Sequence, residues 1–258
     1  MGNLIKAQMY QLKKSKGIII LFFGLMFVLQ CTAILGEWGN DTSLTGSEYV
    51  AEDGSYMSMI ALLFSLLFLG YVCGSDFIDK TNNYEVMAGH RRYEIYFSRA
   101  VVGLLGGLLG AVVLLFSPFI FLVGVMGWGD TLQLSDVLLR CALALFPILR
   151  VSCEFIFLSF IIKNSHIGIV LCYFLGIQGV LMLGDEQHFS VLLGFTNIMK
   201  LFTFPSFMTY TVVDLKEYYI YESALHAGDV FATIAVSTIF GALFLYAGYS
   251  YFKKDDLN

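Results

Sequence analysis

The sequence predicts an all-α membrane protein with six transmembrane helices, and three observations lead there. Hydrophobic residues make up 58% of the 258 residues and charged residues only 14%, whereas roughly a quarter of a soluble globular chain is charged. Mean hydropathy is +0.76. The charges are also bunched: no Asp, Glu, Lys or Arg lies between Lys16 and Glu37, Asp53 and Asp76, Arg99 and Asp130, Lys163 and Asp185, or Asp229 and Lys253. Each run reaches the roughly 20 residues that carry a helix across a ~30 Å hydrocarbon core. None alternates with the period of two that a membrane-spanning strand requires.

Taken in order, "NLIKAQMYQLKKSKG" (residues 3–17) sets Leu4, Ile5, Met9 and Leu12 at helical spacing among four lysines, the pattern of an amphipathic helix lying in the membrane interface. The spans are placed at about 18–36, 56–75, 99–126, 137–162, 167–184 and 229–252, making one transmembrane domain over 1–258. The first apolar run exceeds a signal-peptide core and no A-x-A site follows it, so it is read as a retained span. In the third, Gly103, Gly106, Gly107 and Gly110 form two overlapping G-x-x-x-G patterns, which allow close helix approach. The fourth carries Arg150 and Glu154 one turn apart. A charge at that depth faces protein or water and favours an opposite charge beside it; packing pair and functional polar point are both open readings. Residues 185–226 hold two apolar stretches too short to span, read as a re-entrant helical hairpin before the last span.

Lys and Arg placement puts both termini and the 76–98 loop in the cytoplasm, with Glu37, Asp41, Glu48, Glu52 and Asp53 crowding the first outer loop. The net charge of −5 is divided between two faces and carries no nucleic-acid signal. The five cysteines are scattered, without the spacing of a metal site or disulfide framework. No catalytic residue is proposed. No Ser and His share a depth within the spans, H-E-x-x-H is absent, and the chain lacks G-x-x-x-x-G-K-[ST].

Four stretches carry a family resemblance: "NLIKAQMYQLKKSKG", "GSDFIDKTNNYEVMAGHRRYEIYFSRAVVG", "IIKNSHIGIV" and "YFKKDDLN". Together they resemble the elbow helix, the loop after the second span, the turn between spans four and five and the tail of a type-2 ABC transporter permease, the group that includes bacterial antibiotic- and lantibiotic-immunity and peptide-export permeases. Lys80-Thr81-Asn82-Asn83 stands where many relatives have Gly-Thr. The resemblance implies half of an export pathway in a bacterial cell membrane, paired with a second permease, identical or paralogous. It implies ATP and Mg in a separate cytoplasmic ATPase and none in this chain. It also implies that the 76–98 loop couples to that ATPase. Tyr84, Val86, Met87, Arg91 and Arg92 are the expected contacts, and their mix of apolar anchors and charges suits an interface. Arg99 is expected at the headgroups. The low fixed charge of the interior suits an amphipathic peptide or lipophilic antibiotic as substrate. The competing class is an ATP-independent carrier or a non-transport membrane scaffold.

Overall fold

The computed structural model describes residues 1–40, 44–74, 81–163, 194–204, 206–210, 217–221 and 224–254. Its elements are α1 (Gly2–Lys14), α2 (Lys16–Asn40), α3 (Gly46–Leu69), α4 (Thr81–Met87), α5 (Arg92–Phe121), α6 (Leu134–Ile162), α7 (Gly194–Leu201), β1 (Ser206–Tyr210), β2 (Glu217–Tyr221) and α8 (Ala227–Lys254). Wider π-type turns, Gly70–Gly74 and Leu122–Met126, extend α3 and α5. Five helices are long and apolar enough to cross a membrane: Ile19–Gly39, Gly46–Cys73, Arg92–Met126, Leu134–Ile162 and Ala227–Lys254. The sixth expected span, 167–184, lies outside the described residues. The protein is thus a helical, multi-pass type of chain. Large side chains such as Leu21 on α2, Leu109 on α5 and Phe231 on α8 point outward, each more than 60% exposed, and lipid rather than water suits such a surface.

The spanning helices start earlier, or end later, than the charge pattern suggested, most clearly in α2, α3 and α5. Helix α2 runs to Asn40, so Glu37 is helical. Helix α3 begins at Gly46 rather than 56, because Thr45 and Glu48 form a capping box: the Thr45 amide and hydroxyl both donate to Glu48 Oε2, at 2.9 and 2.8 Å. Glu48, Glu52 and Asp53 therefore ride on its first turns instead of in a loop. Helix α5 begins at Arg92, not 99, with the Arg91 amide donating to Glu94 Oε2 at 3.3 Å. The 185–226 segment departs from the expected helical hairpin. Its first apolar stretch contains α7, but its second forms β1, paired antiparallel with β2 in the register Ser206↔Tyr221 to Tyr210↔Glu217. "SFMTY" and "EYYIY" are rich in aromatic residues, which favour a strand over a helix.

The bundle has two recognisable ends. At one, the end of α8 meets the start of α5: Arg92 Nη1 donates to the carbonyls of Phe252 and Lys253 at 3.0 and 3.2 Å, satisfying acceptors that a helix C-terminus leaves open. The rings of Tyr96, Phe160 and Phe252 cluster behind it, tilted and edge-on, with centroids 4.6 and 5.0 Å apart. At the opposite end, the turn after α5 clasps the start of α3. The Gly46 and Ser47 amides donate to the carbonyls of Gly127 and Trp128 at 2.8 and 2.7 Å. Gly129 adopts φ +81° there, and a Cβ on it would meet the Thr45 side chain; glycine alone takes this backbone without strain.

Between the ends, α3 and α5 lie close along the glycines of α5. A Cβ at Gly103 would stand 2.7 Å from Leu69 Cδ2, and one at Gly106 or Gly110 would overlap the rings of Phe68 or Phe64. Gly107 faces Ser65, whose hydroxyl donates to the Gly107 carbonyl at 2.9 Å. Helix α2 is tied to α3 by Gln30, whose amide donates to the Met57 carbonyl at 3.3 Å.

The packing makes Gly110→Leu a discriminating substitution. Leucine gains up to about 1 kcal/mol of helix propensity over glycine, but overlap with Phe64 costs about 1–3 kcal/mol, so the clash wins. Gly24→Leu on α2 is the comparison, because nothing lies within 4 Å of its Cβ position. Thermal unfolding followed by tryptophan fluorescence in detergent should show a lowered midpoint for Gly110→Leu and an unchanged or raised one for Gly24→Leu.

Candidate functional site

Helix α8 turns a narrow stripe of small and polar residues toward α6. Its buried residues are Thr233, Ser237, Gly241, Gly248 and Phe252, the first three spaced by four, so they fall on one face. Absence of bulk lets α8 sit against α6 along most of its length: a Cβ on Gly241 would lie 3.6 Å from Cys153 Sγ and 3.9 Å from Arg150 Cα. Small residues at four-residue spacing are how helices approach when lipid removes the hydrophobic driving force.

Into this contact α6 projects Arg150, 4% exposed and near the middle of the helix. Its guanidinium lies over the Phe240 ring of α8, 4.6 Å from the centroid, a cation–π contact that strengthens as water is excluded. Glu154, one turn further along α6 and half-buried, attracts Arg150 electrostatically. Toward the α3-start end of the bundle follow Ser237, Thr233 and Asn197 of α7, each at most 3% exposed. The Thr233 hydroxyl donates to Asn197 Oδ1 at 3.3 Å. Neither Ser237 Oγ nor Asn197 Nδ2 has a hydrogen-bond partner. Arg140, 3% exposed, closes the series: its Nη1 donates to the Leu201 carbonyl at 2.9 Å, and its guanidinium lies 4.4 Å over the Phe204 ring. The result is a polar seam running from mid-bundle to one end.

Its outer mouth is a cavity of about 120 Å³ lined by Arg140, Asn197, Lys200, His226, Asp229 and Thr233, with Leu201, Thr203, Ala224 and Leu225 completing the wall. A buried seam of hydroxyls and cations can bind and guide polar groups. Among the described residues it brings no three His, Cys, Asp or Glu together as a metal would need. Cys31, Cys73, Cys141 and Cys153 are free thiols, and Cys172 lies outside the described residues.

The residues expected to contact a partner sit elsewhere, on and after α4. Tyr84 and Met87 are 66% and 82% exposed, Val86 packs partly against the core, and Arg91 is exposed. Arg92 is directed instead at the end of α8. Arg99 does not reach a headgroup. It is 1% exposed, and its Nη1 forms an ion pair with Glu85 Oε2 of α4 at 2.9 Å. The two atoms are close without the alignment of a hydrogen bond, so the contact is chiefly a charge attraction. Because α5 starts a full seven residues earlier than the charge-free run, Arg99 lies two turns inside the helix and is covered by α4 rather than by lipid.

Glu85, Arg140, Asn197, Thr233 and Ser237 were not picked out from sequence. Arg150 and Glu154 gave one sequence signal for the seam, and the spacing of Thr233, Ser237 and Gly241 another. Comparison with models of known protein families finds no match, and comparison with curated protein sequences finds none either.

If Arg150 and Glu154 compensate each other, Arg150→Ala should reduce yield and stability by about 3–5 kcal/mol, while Arg150→Ala with Glu154→Ala should be closer to the parent. Detergent melting curves of both singles and the double measure the coupling. A loss in the double equal to the sum of the two single losses would show that the two charges act independently.

Proposed function

We propose that this chain is the membrane subunit of an ATP-driven exporter, paired with a second permease and driven by a separate cytoplasmic ATPase. The observation that carries the reading is α4. It is a seven-residue helix between two spans, it presents Tyr84 and Met87 outward, and it is locked to α5 by Glu85 and Arg99. A free connector has no need of a buried ion pair; a helix that must transmit force does. On this reading an ATPase grips Tyr84, Val86 and Met87, with Arg91 at the rim. Movement of α4 passes through the Glu85–Arg99 pair into α5, and through the glycine contacts into α3. ATP and Mg belong to the ATPase.

The lysine and arginine bias supports a cytoplasmic position for α4 and both termini. An amphipathic peptide or lipophilic antibiotic fits the substrate side, since the bundle offers mostly aliphatic and aromatic surface interrupted by the polar seam. The carrier and scaffold alternatives require no such lever.

The test is binding and coupling measured separately with the ATPase that co-purifies. Met87→Asp should place a charge in an apolar contact and cost ~2 kcal/mol, roughly a thirtyfold loss of affinity. Glu85→Gln combined with Arg99→Gln removes both charges while keeping the packing. It should leave ATPase binding near that of the parent and depress substrate-linked ATP turnover. Unchanged affinity in the first variant together with unchanged coupling in the second would reduce α4 to a connector.

A further inference from the structure

We propose that the cavity at the mouth of the α6–α8 seam is a binding site for a phosphate ester. The inference rests on the membrane placement of the helices and not on the exporter reading. Among the described residues, two permanent cations line the cavity, Arg140 from α6 and Lys200 from α7, together with the acid Asp229 and, beside it, His226. Arg140 is fixed before any ligand arrives: it is 3% exposed, bonded to the Leu201 carbonyl and stacked on Phe204. Its planar fork suits phosphate oxygens. Asn197 is the second, independent observation. It is 2% exposed, it lines the same cavity, its Oδ1 accepts from Thr233, and its Nδ2 donor has no acceptor among the described residues. A buried amide donor left unmatched is uncommon and costly, and a phosphate oxygen is the acceptor this site lacks.

Depth and size agree. Helix α6 has 29 residues and rises about 43 Å, some 13 Å more than the hydrocarbon thickness, an excess that, shared between its ends, brings its terminal turns to headgroup level. Arg140 is six residues from the start of α6, and Asp229 is two residues from the start of α8. A cavity of about 120 Å³ has room for several water-sized groups, enough for a phosphate and a short substituent. Asp229 would disfavour a second negative charge and would accept a substituent carrying an amine. The ligand class is therefore a phosphodiester, singly charged, with a small, preferably cationic, substituent. It could come from a lipid headgroup or from a soluble phosphate ester.

The experiment uses the full chain, delipidated in a maltoside detergent at constant ionic strength. It is titrated in separate arms with short-chain phosphatidylethanolamine, with glycerophosphoethanolamine and with inorganic phosphate, and binding is read by melting temperature and native mass spectrometry. The parent should bind in at least one arm. Binding of the lipid alone identifies a headgroup site, and binding of the soluble esters identifies a soluble ligand. Lys200→Glu, at an exposed position, and Asn197→Asp, which keeps the shape and reverses the donor, should each weaken binding at least about tenfold, the effect of one charge-assisted hydrogen bond. Arg140→Ala is avoided because Arg140 also holds Leu201 and Phe204. No binding in any arm, or binding that survives both substitutions, overturns the proposal.

Discussion

A polar group buried in hydrocarbon has no water to fall back on, and this constraint organises the whole molecule. Every helix that crosses must satisfy its own backbone, and every buried charge must find a partner within the protein. Three arginines show how the chain meets the second demand. Arg99 takes a carboxylate from a neighbouring short helix, Arg140 a backbone carbonyl and a ring, and Arg150 a ring with Glu154 close by. Each arrangement links two elements, so the need to satisfy a charge is also what holds α4 to α5, α6 to α7 and α6 to α8.

The two major helix contacts differ in kind. Glycines of α5 receive the rings of Phe64 and Phe68 from α3, a tight apolar fit that moves as a unit. The α6–α8 contact is lined with hydroxyls and cations, and polar contacts can be exchanged for other polar partners, including a ligand. The π-type turns sit at the end of α3 and where α5 ends at its clasp with α3. Such turns often mark functional points in a helix. Force arriving at α4 would thus enter a stiff pair of helices, while the seam beside it supplies the adaptable surface.

Much of the membrane architecture was legible from charge alone, because lysine, arginine and acids are too costly in lipid to be placed at random. The glycine spacing on α5 pointed to close packing for the same reason that it produces it. Helix ends were less legible. Glu48, Glu52 and Asp53 looked like a loop, yet a helix that emerges from the hydrocarbon can carry them, and the Thr45–Glu48 cap starts it early. The Glu85–Arg99 pair was hidden because its members are separated by a turn and belong to different helices; nothing periodic connects them. Asn197, Thr233 and Ser237 are uncharged, so their depth in the bundle set them apart and their identity did not. The strands at 206–210 and 217–221 were missed because short apolar stretches fit either helix or strand.

The claim that α4 is the point of contact with an energy-supplying subunit has a direct test. A photo-crosslinking amino acid placed at Met87, in the full chain and in its native membrane, reports whatever stands against that side chain. The account predicts one dominant cross-linked protein, carrying a P-loop and approached from the side of the two termini, and loss of that product when Tyr84 is changed to Asp in the same chain. Cross-links to lipid alone, or a product unchanged by the Tyr84 substitution, would contradict it.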